Sequence, residues 1–179
     1  MSTQFDPNIH PRPLNSEVKE LRNIFRRLNQ TMQRDEVVQG TTDDLLGFLK
    51  VDRVVLYYFY REWEGQVTFE SLSDPRFSIY GSTGPDQCFN DEYAALYLAG
   101  RVRAIADIET EPIEACHRDF LRYLQVRANL VVPILTSGRL WGLLAAHSCQ
   151  GAKTWSEADI ERMQAGALTL ASSPSIRDD

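Results

Sequence analysis

Three cysteines in 179 residues are too few, and odd in number, for a disulfide framework. A reducing compartment follows, and a cytoplasmic location is expected. No apolar run approaches the roughly 20 residues of a membrane span, and no charged-then-apolar leader opens the chain, so no membrane insertion is expected. Positive charge is scarce as well. Nineteen Lys and Arg against 25 Asp and Glu leave a formal charge of −6, which argues against nucleic acid as a partner. The three histidines and three cysteines fall at no Cys-x-x-Cys or His-x-x-x-His spacing, so no metal site is expected. A phosphate loop, a Gly-x-Ser-x-Gly elbow and a Gly-rich dinucleotide turn are all missing, and the chain does not read as an enzyme. Internal repeats and low-complexity tracts are absent too.

What is present is globular material, 43% hydrophobic and 25% charged, enough for one domain with its own core. Residues 1–15, with Pro7, Pro11 and Pro13, read as a loose lead-in; 16–172 form the domain; 173–179 are a polar tail expected to fray. Ser16 reads as the N-cap of a helix to about Gln33, whose apolar stripe runs through Val18, Leu21, Ile24, Phe25, Leu28 and Met32. That stripe suits a sheet or the same helix of a second copy. Thr41-Thr42-Asp43-Asp44 reads as the cap of a short helix over 43–50.

Val51 to Trp63 is the strongest strand signal; it turns at Glu64-Gly65 and pairs back along 66–72. Residues 73–91 are rich in Pro, Gly, Asp, Ser and Asn and form a long insert, functional or mobile. A short helix over 92–99, a strand over 102–106 and a helix over 111–126 follow. Strands at 129–135 and 139–147 flank a turn at Thr136-Ser137-Gly138-Arg139. Ser156 with Asp159 then caps a last helix to about Ala171. Consecutive hairpins with helices between them predict an antiparallel sheet with helices packed on it, an α+β fold.

The stretch from Glu114 to Leu124 carries the chemistry. Its apolar positions 113, 116, 120, 121 and 124 predict a helix with Cys116 inward, His117 next to it and Tyr123 seven residues beyond the thiol. Neighbouring helical residues point about 100° apart, so His117 is poorly placed as a base for its own Cys. The pair suits something large held between thiol and imidazole.

Over nearly all of 16–172 the chain resembles a GAF domain. The blocks Val126-Arg127-Ala128-Asn129-Leu130-Val131-Val132-Pro133-Ile134 and Leu140-Trp141-Gly142-Leu143-Leu144-Ala145-Ala146-His147 resemble bilin-binding GAF domains of cyanobacterial photoreceptors. Cys116-His117 resembles the chromophore-attachment dipeptide of phytochromes and cyanobacteriochromes. Asp86-Gln87-Cys88-Phe89 resembles the Asp-X-Cys-Phe motif of a dual-cysteine cyanobacteriochrome subgroup, with Gln87 where Pro is frequent.

The resemblance implies a GAF sheet with a bilin pocket on one face. It implies a covalent linear tetrapyrrole, phycocyanobilin or its isomer phycoviolobilin, and reversible photoconversion between a blue- or violet-absorbing and a green- or longer-absorbing state through 15Z/15E isomerisation. Cys116 would form the permanent thioether, Cys88 a second reversible one, and His117 would stack beneath the chromophore. Asp86 would accept pyrrole N–H groups and Arg101 would pair with a propionate, while Tyr123 and His147 would line the pocket. Two other classes stay open: a GAF module for a small ligand such as a cyclic nucleotide, and a thiol-redox or dimerisation module using Cys88 and Cys116. A homodimer through the terminal helices is a further expectation. No output segment is read after residue 172, so a standalone sensor or one domain of a longer receptor is expected.

Overall fold

The structure, a computed structural model, describes residues 14–61, 64–84 and 91–179. Its centre is a five-stranded sheet built from β1 (Arg53–Arg61), β2 (Glu64–Leu72), β3 (Arg103–Ile105), β4 (Ala128–Thr136) and β5 (Arg139–Ser148). The order is β2-β1-β5-β4-β3, with every neighbour antiparallel. The helices are α1 (Leu14–Met32), α2 (Glu36–Leu49), α3 (Asp91–Leu98), α4 (Ala115–Tyr123), α5 (Glu157–Ala171) and α6 (Pro174–Arg177). This is the α+β arrangement that the hairpins predict. Among the described residues no helix is long and apolar enough to cross a membrane.

Strand alternation divides the sheet into two working faces. Val54 and Leu56 of β1, Leu130 and Val132 of β4, and Leu144 and Ala146 of β5 meet Met32, Leu45, Met163 and Leu170 of the helices in the main core. At about 1.5–3 kcal/mol for each fully buried aliphatic side chain, this layer carries most of the folding drive. The opposite face holds Val55, Val67, Val131 and Ala145, packed more thinly.

Several expected boundaries move, each for a local reason. α1 begins at Leu14, so Ser16 lies within it rather than at its cap. α2 starts at Glu36, not at 43, because Asp35 caps it by accepting from the N–H groups of Val37 (3.0 Å) and Val38 (3.3 Å). Thr42 sits inside that helix, its buried hydroxyl donating to the Val38 carbonyl at 2.9 Å. α4 is shorter than 111–126. Arg118 donates to the carbonyls of Ile108 (2.9 Å) and Glu111 (2.7 Å), holding the preceding residues as a loop, and Gln125 at φ 58° follows the end of the helix. The tail expected to fray instead forms α6. Ile176 is fully buried, and Ser175 donates to Asp35 from both N–H (3.2 Å) and hydroxyl (2.7 Å). Asp179 accepts from the Trp141 indole at 3.2 Å. The sequence shows the tail's polar groups but not their partners, which come from α2 and β5.

Candidate functional site

On the thinly packed face of the sheet, Val55, Tyr57, Val131, Leu143 and Ala145 form the floor of a cavity of about 140 Å³. A close-packed interior does not leave such a gap, which has room for several waters behind largely apolar walls. α4 supplies one wall with His117, Phe120, Leu121 and Leu124 at i, i+3, i+4 and i+7, and α3 adds Tyr97. The insert supplies another through Ile79, Ser82 and Gly84.

As far as Gly84 the insert is pinned rather than loose. Val67 donates to the Ser82 carbonyl and Gly81 to the Val67 carbonyl, both at 3.0 Å. The Tyr57 hydroxyl accepts from the Gly84 N–H at 2.8 Å and donates to the Gly65 carbonyl at 2.8 Å. Glu70 accepts from the Ile79 N–H at 3.0 Å. Backbone pairing thus extends from β2 into the cavity wall.

The polar groups gather where β1, β4 and β5 run side by side. Arg53 is wholly buried, and its Nε donates to His147 Nδ1 at 2.8 Å. One terminal nitrogen donates to the Phe77 carbonyl at 2.8 Å, and the other donates to the Leu124 carbonyl at the end of α4. One guanidinium thereby ties sheet, insert and α4 together, its fork matched to three acceptors. Burial pulls the Arg53 pKa down, against the raising influence of Cys149, Glu70 and Asp52.

His147 lines the cavity and is itself buried. Burial first, and the Arg53 charge second, push its pKa well below the ordinary value. Since Nδ1 accepts from Arg53, the neutral ring carries its proton on Nε2, a donor free of the Arg53 contact. Asn129 stands directly opposite His147 in the β4–β5 register and also lines the cavity. Its Oδ1 is buried with no hydrogen-bond partner among the described residues.

Away from that corner, Arg103 of β3 lines the cavity and pairs with Glu111 at 3.1 Å. Burial, and then the charges of Arg103 and Arg101, lower the His117 pKa and favour its neutral ring.

The expected site residues separate on this map. His117 and His147 reach the cavity. Cys116 does not face inward: it is exposed, and its sulfur is engaged rather than free. The inward stripe runs 117-120-121-124, and a rotation of about 100° per residue turns position 116 away from it. Tyr123 is corrected outright. Six positions past His117, it points off that stripe and is 81% exposed, and it is not among the residues that line the cavity. Arg101 is not among the lining residues; its guanidinium lies 5.6 and 5.9 Å from the ring centres of Tyr93 and Tyr97. Asp86 and Cys88 lie outside the described residues.

Arg53, Arg103 and Asn129 are the site residues that the sequence reading missed. A signal for two of them existed. Arg53 shares strand parity with Val55 and Tyr57, and Asn129 with Val131, so each is a polar residue on a face that is otherwise apolar.

Comparison with known proteins follows the same lines. The sequence matches the GAF domain family over residues 33–173. An uncharacterised protein of Picosynechococcus sp. is 49% identical over 160 residues, 89% of this chain and 98% of that protein. Among solved structures, the blue-light absorbing form of the Thermosynechococcus elongatus PixJ GAF domain superposes with a TM-score of 0.68 at 32% identity, covering 78% of this chain and 85% of that one. The phycocyanobilin-bound GAF domain of a cyanobacterial phytochrome gives a TM-score of 0.68 at 28% identity, covering 84% and 91%. The chain belongs to the GAF domain family, and the cyanobacteriochrome GAF domains are the branch that it fits.

Proposed function

We propose that this chain is a light-sensing domain that holds a linear tetrapyrrole in the cavity between the sheet, α3 and α4. The observation that carries the reading is the cavity itself: apolar on floor and walls, with a neutral imidazole from His117 in its wall and Cys116 one residue away. A conjugated chain of four pyrrole-type rings is large, flat and mostly apolar, and such walls suit it better than a cyclic nucleotide, which needs donors for its phosphate and base. Arg103 is the cation on the lining and suits a propionate, whose carboxylate a guanidinium fork can bind from two sides. It takes the role expected of Arg101. The likeness to a GAF domain solved with phycocyanobilin supports the same reading.

The bound group would supply light absorption and a double bond that light can isomerise; the chain supplies attachment, orientation and exclusion of water. Cys116 is the permanent attachment point in this proposal. Cys88 forms a second, reversible thioether that interrupts the conjugated path and gives the blue- or violet-absorbing state. Phycocyanobilin or phycoviolobilin is the group, joined covalently.

The test is to produce the protein with a phycocyanobilin supply under reducing conditions and record absorption before and after illumination at its peak. Cys116→Ala and Cys88→Ala are run beside it, with zinc-induced fluorescence on a denaturing gel reporting covalent pigment. The expected result is a reversible spectral switch in the parent, loss of covalent pigment in Cys116→Ala, and loss of the short-wavelength state in Cys88→Ala. A protein that stays colourless in every preparation overturns the reading. Pigment with no short-wavelength state removes Cys88 from it.

A further inference from the structure

Resting on the second-thioether part of the bilin reading, we infer that Tyr57 is a positioning residue: its hydroxyl holds the insert at Gly84 and so sets the direction from which Cys88, four residues on, reaches the bound chromophore. The ring lines the cavity, and its hydroxyl donates to the Gly65 carbonyl and accepts the Gly84 N–H, both at 2.8 Å. Up to Thr83 the insert is held by backbone, through the Val67 bonds to Gly81 and Ser82 and a bridge between Gln66 and Thr83. Gly84 is the next residue, and there the hold passes to a side chain.

Two glycines make room for that contact. A Cβ on Gly84 would lie 2.7 Å from the Tyr57 hydroxyl, and one on Gly65 would lie 2.6 Å from ring Cε1 and 2.2 Å from the Tyr58 carbonyl oxygen. Neither glycine has a positive φ, so the missing side chain, and not backbone freedom, is what the contact uses. Fully extended, four residues span at most about 14 Å, so every position open to the Cys88 Cα lies within that radius of Gly84. Inside that radius direction decides the rate, because an attacking atom displaced by about 1 Å can lose about 100-fold. In the step itself the Cys88 sulfur, as a thiolate, gives an electron pair to a methine carbon of the protonated bilin. A C–S bond forms, a C=C π bond breaks and its pair neutralises the cation, and the thiol proton leaves to water. Reversal restores all three.

The test breaks the contact from both sides. Tyr57→Phe removes the hydroxyl alone. Gly84→Ala leaves the cavity-facing phenol in place and drives a methyl group into it, so an effect common to both variants belongs to the contact and not to a ligand bond of the hydroxyl. In the protein made without bilin, hydrogen exchange at 79–84 is expected to quicken about 10-fold in each variant, since the Gly84 N–H has lost its acceptor. In the protein loaded with phycocyanobilin, a flash into the long-wavelength band starts the switch. Formation of the short-wavelength state is expected to slow about 10-fold relative to the first spectral change in the same sample. The two changes together should be no slower than Tyr57→Phe alone, because without the hydroxyl the nearest ring atom to a Cβ at Gly84 is Cζ, at 3.4 Å. Variants that keep the parent's ratio of the two rates, or that slow both rates equally, overturn the inference and leave Tyr57 a structural residue. So does a double variant in which the two losses add. A parent that binds pigment and never forms the short-wavelength state overturns the second-thioether reading itself, before any variant is compared, and the inference falls with it.

Discussion

At the scale of single residues, Arg53 is a buried cation that makes no ion pair among the described residues and spends its donors on His147 and two carbonyls. Such a charge is tolerated only where every donor finds an acceptor, and the acceptors come from three separate elements. One consequence is a pH dependence set by His147. Its folded pKa is depressed by burial and by Arg53, so below the unfolded value of about 6.5 the unfolded chain binds a proton that the folded chain refuses. Stability is therefore full above about pH 6.5 and falls as the pH drops towards the depressed folded value. His117, shifted the same way, adds to the slope. Urea unfolding between pH 6.5 and pH 5 should show a loss approaching about 1.4 kcal/mol per pH unit from His147, with His117 adding in the same direction, and His147→Gln should remove about one proton's share. An unchanged slope in that variant would mean that the imidazole is not held neutral. Strand parity made the position of Arg53 legible in the sequence; its three partners lie at distant points in the chain, and no local pattern announces them. Tyr123 shows the opposite error. Its place beyond Cys116-His117 suggests a pocket residue, and only the rotation of α4 reveals that it faces away.

At the scale of elements, strand-forming composition placed all five strands, and Ser156 with Asp159 the α5 capping box, because both signals are local. The turn expected at Glu64-Gly65 is corrected, since both residues belong to β2 and pair with Arg61 and Phe59. The boundaries that moved depend on longer contacts: α2 on its Asp35 cap, which α6 also uses, and α4 on the Arg118 bonds to the loop before it. The β4–β5 hairpin turns on Ser137 (φ 42°) and Gly138 (φ 79°), the positive-φ pair of a tight two-residue loop. A few residues on, an irregularity leaves Trp141 as an extra residue on β5, and its ring packs into the helical layer. Gly142 next to it has no room for a side chain, since a Cβ there would lie 2.1 Å from the Tyr57 carbonyl oxygen. That oxygen is backbone in the central strand pair and cannot swing aside. Gly142→Ala is expected to cost at least about 3 kcal/mol in denaturant unfolding, the upper end of overpacking effects. A loss under about 1 kcal/mol would mean that β1 and β5 can separate locally, and would loosen the placement of Tyr57 on the cavity floor.

At the scale of the whole molecule, the sheet divides a closed layer from an open one. The helical side is a continuous core including Met32, Leu56, Leu144 and Met163, each almost wholly buried. The other side rests on small clusters under α3 and α4 and surrounds a gap. Local opening costs least where buried apolar contacts are fewest, so α3, α4 and β3 should exchange their amide hydrogens sooner than β1, β5 and α5. A ligand that fills the gap supplies the missing contacts on that side only, and it stabilises the states that contain the filled cavity. Hydrogen exchange followed by mass spectrometry, with and without bound bilin, should show protection rising in α3, α4 and the 73–84 segment while the helical layer changes little. Arg53 adds a specific expectation: because it bonds the Leu124 carbonyl at the end of α4 and the Phe77 carbonyl in the insert, both segments should gain protection together. Protection that rises evenly over the molecule would indicate a general shift in global stability. Protection confined to α1 or α5 would place the ligand on the wrong face of the sheet, and the cavity would lose its claim to be the site.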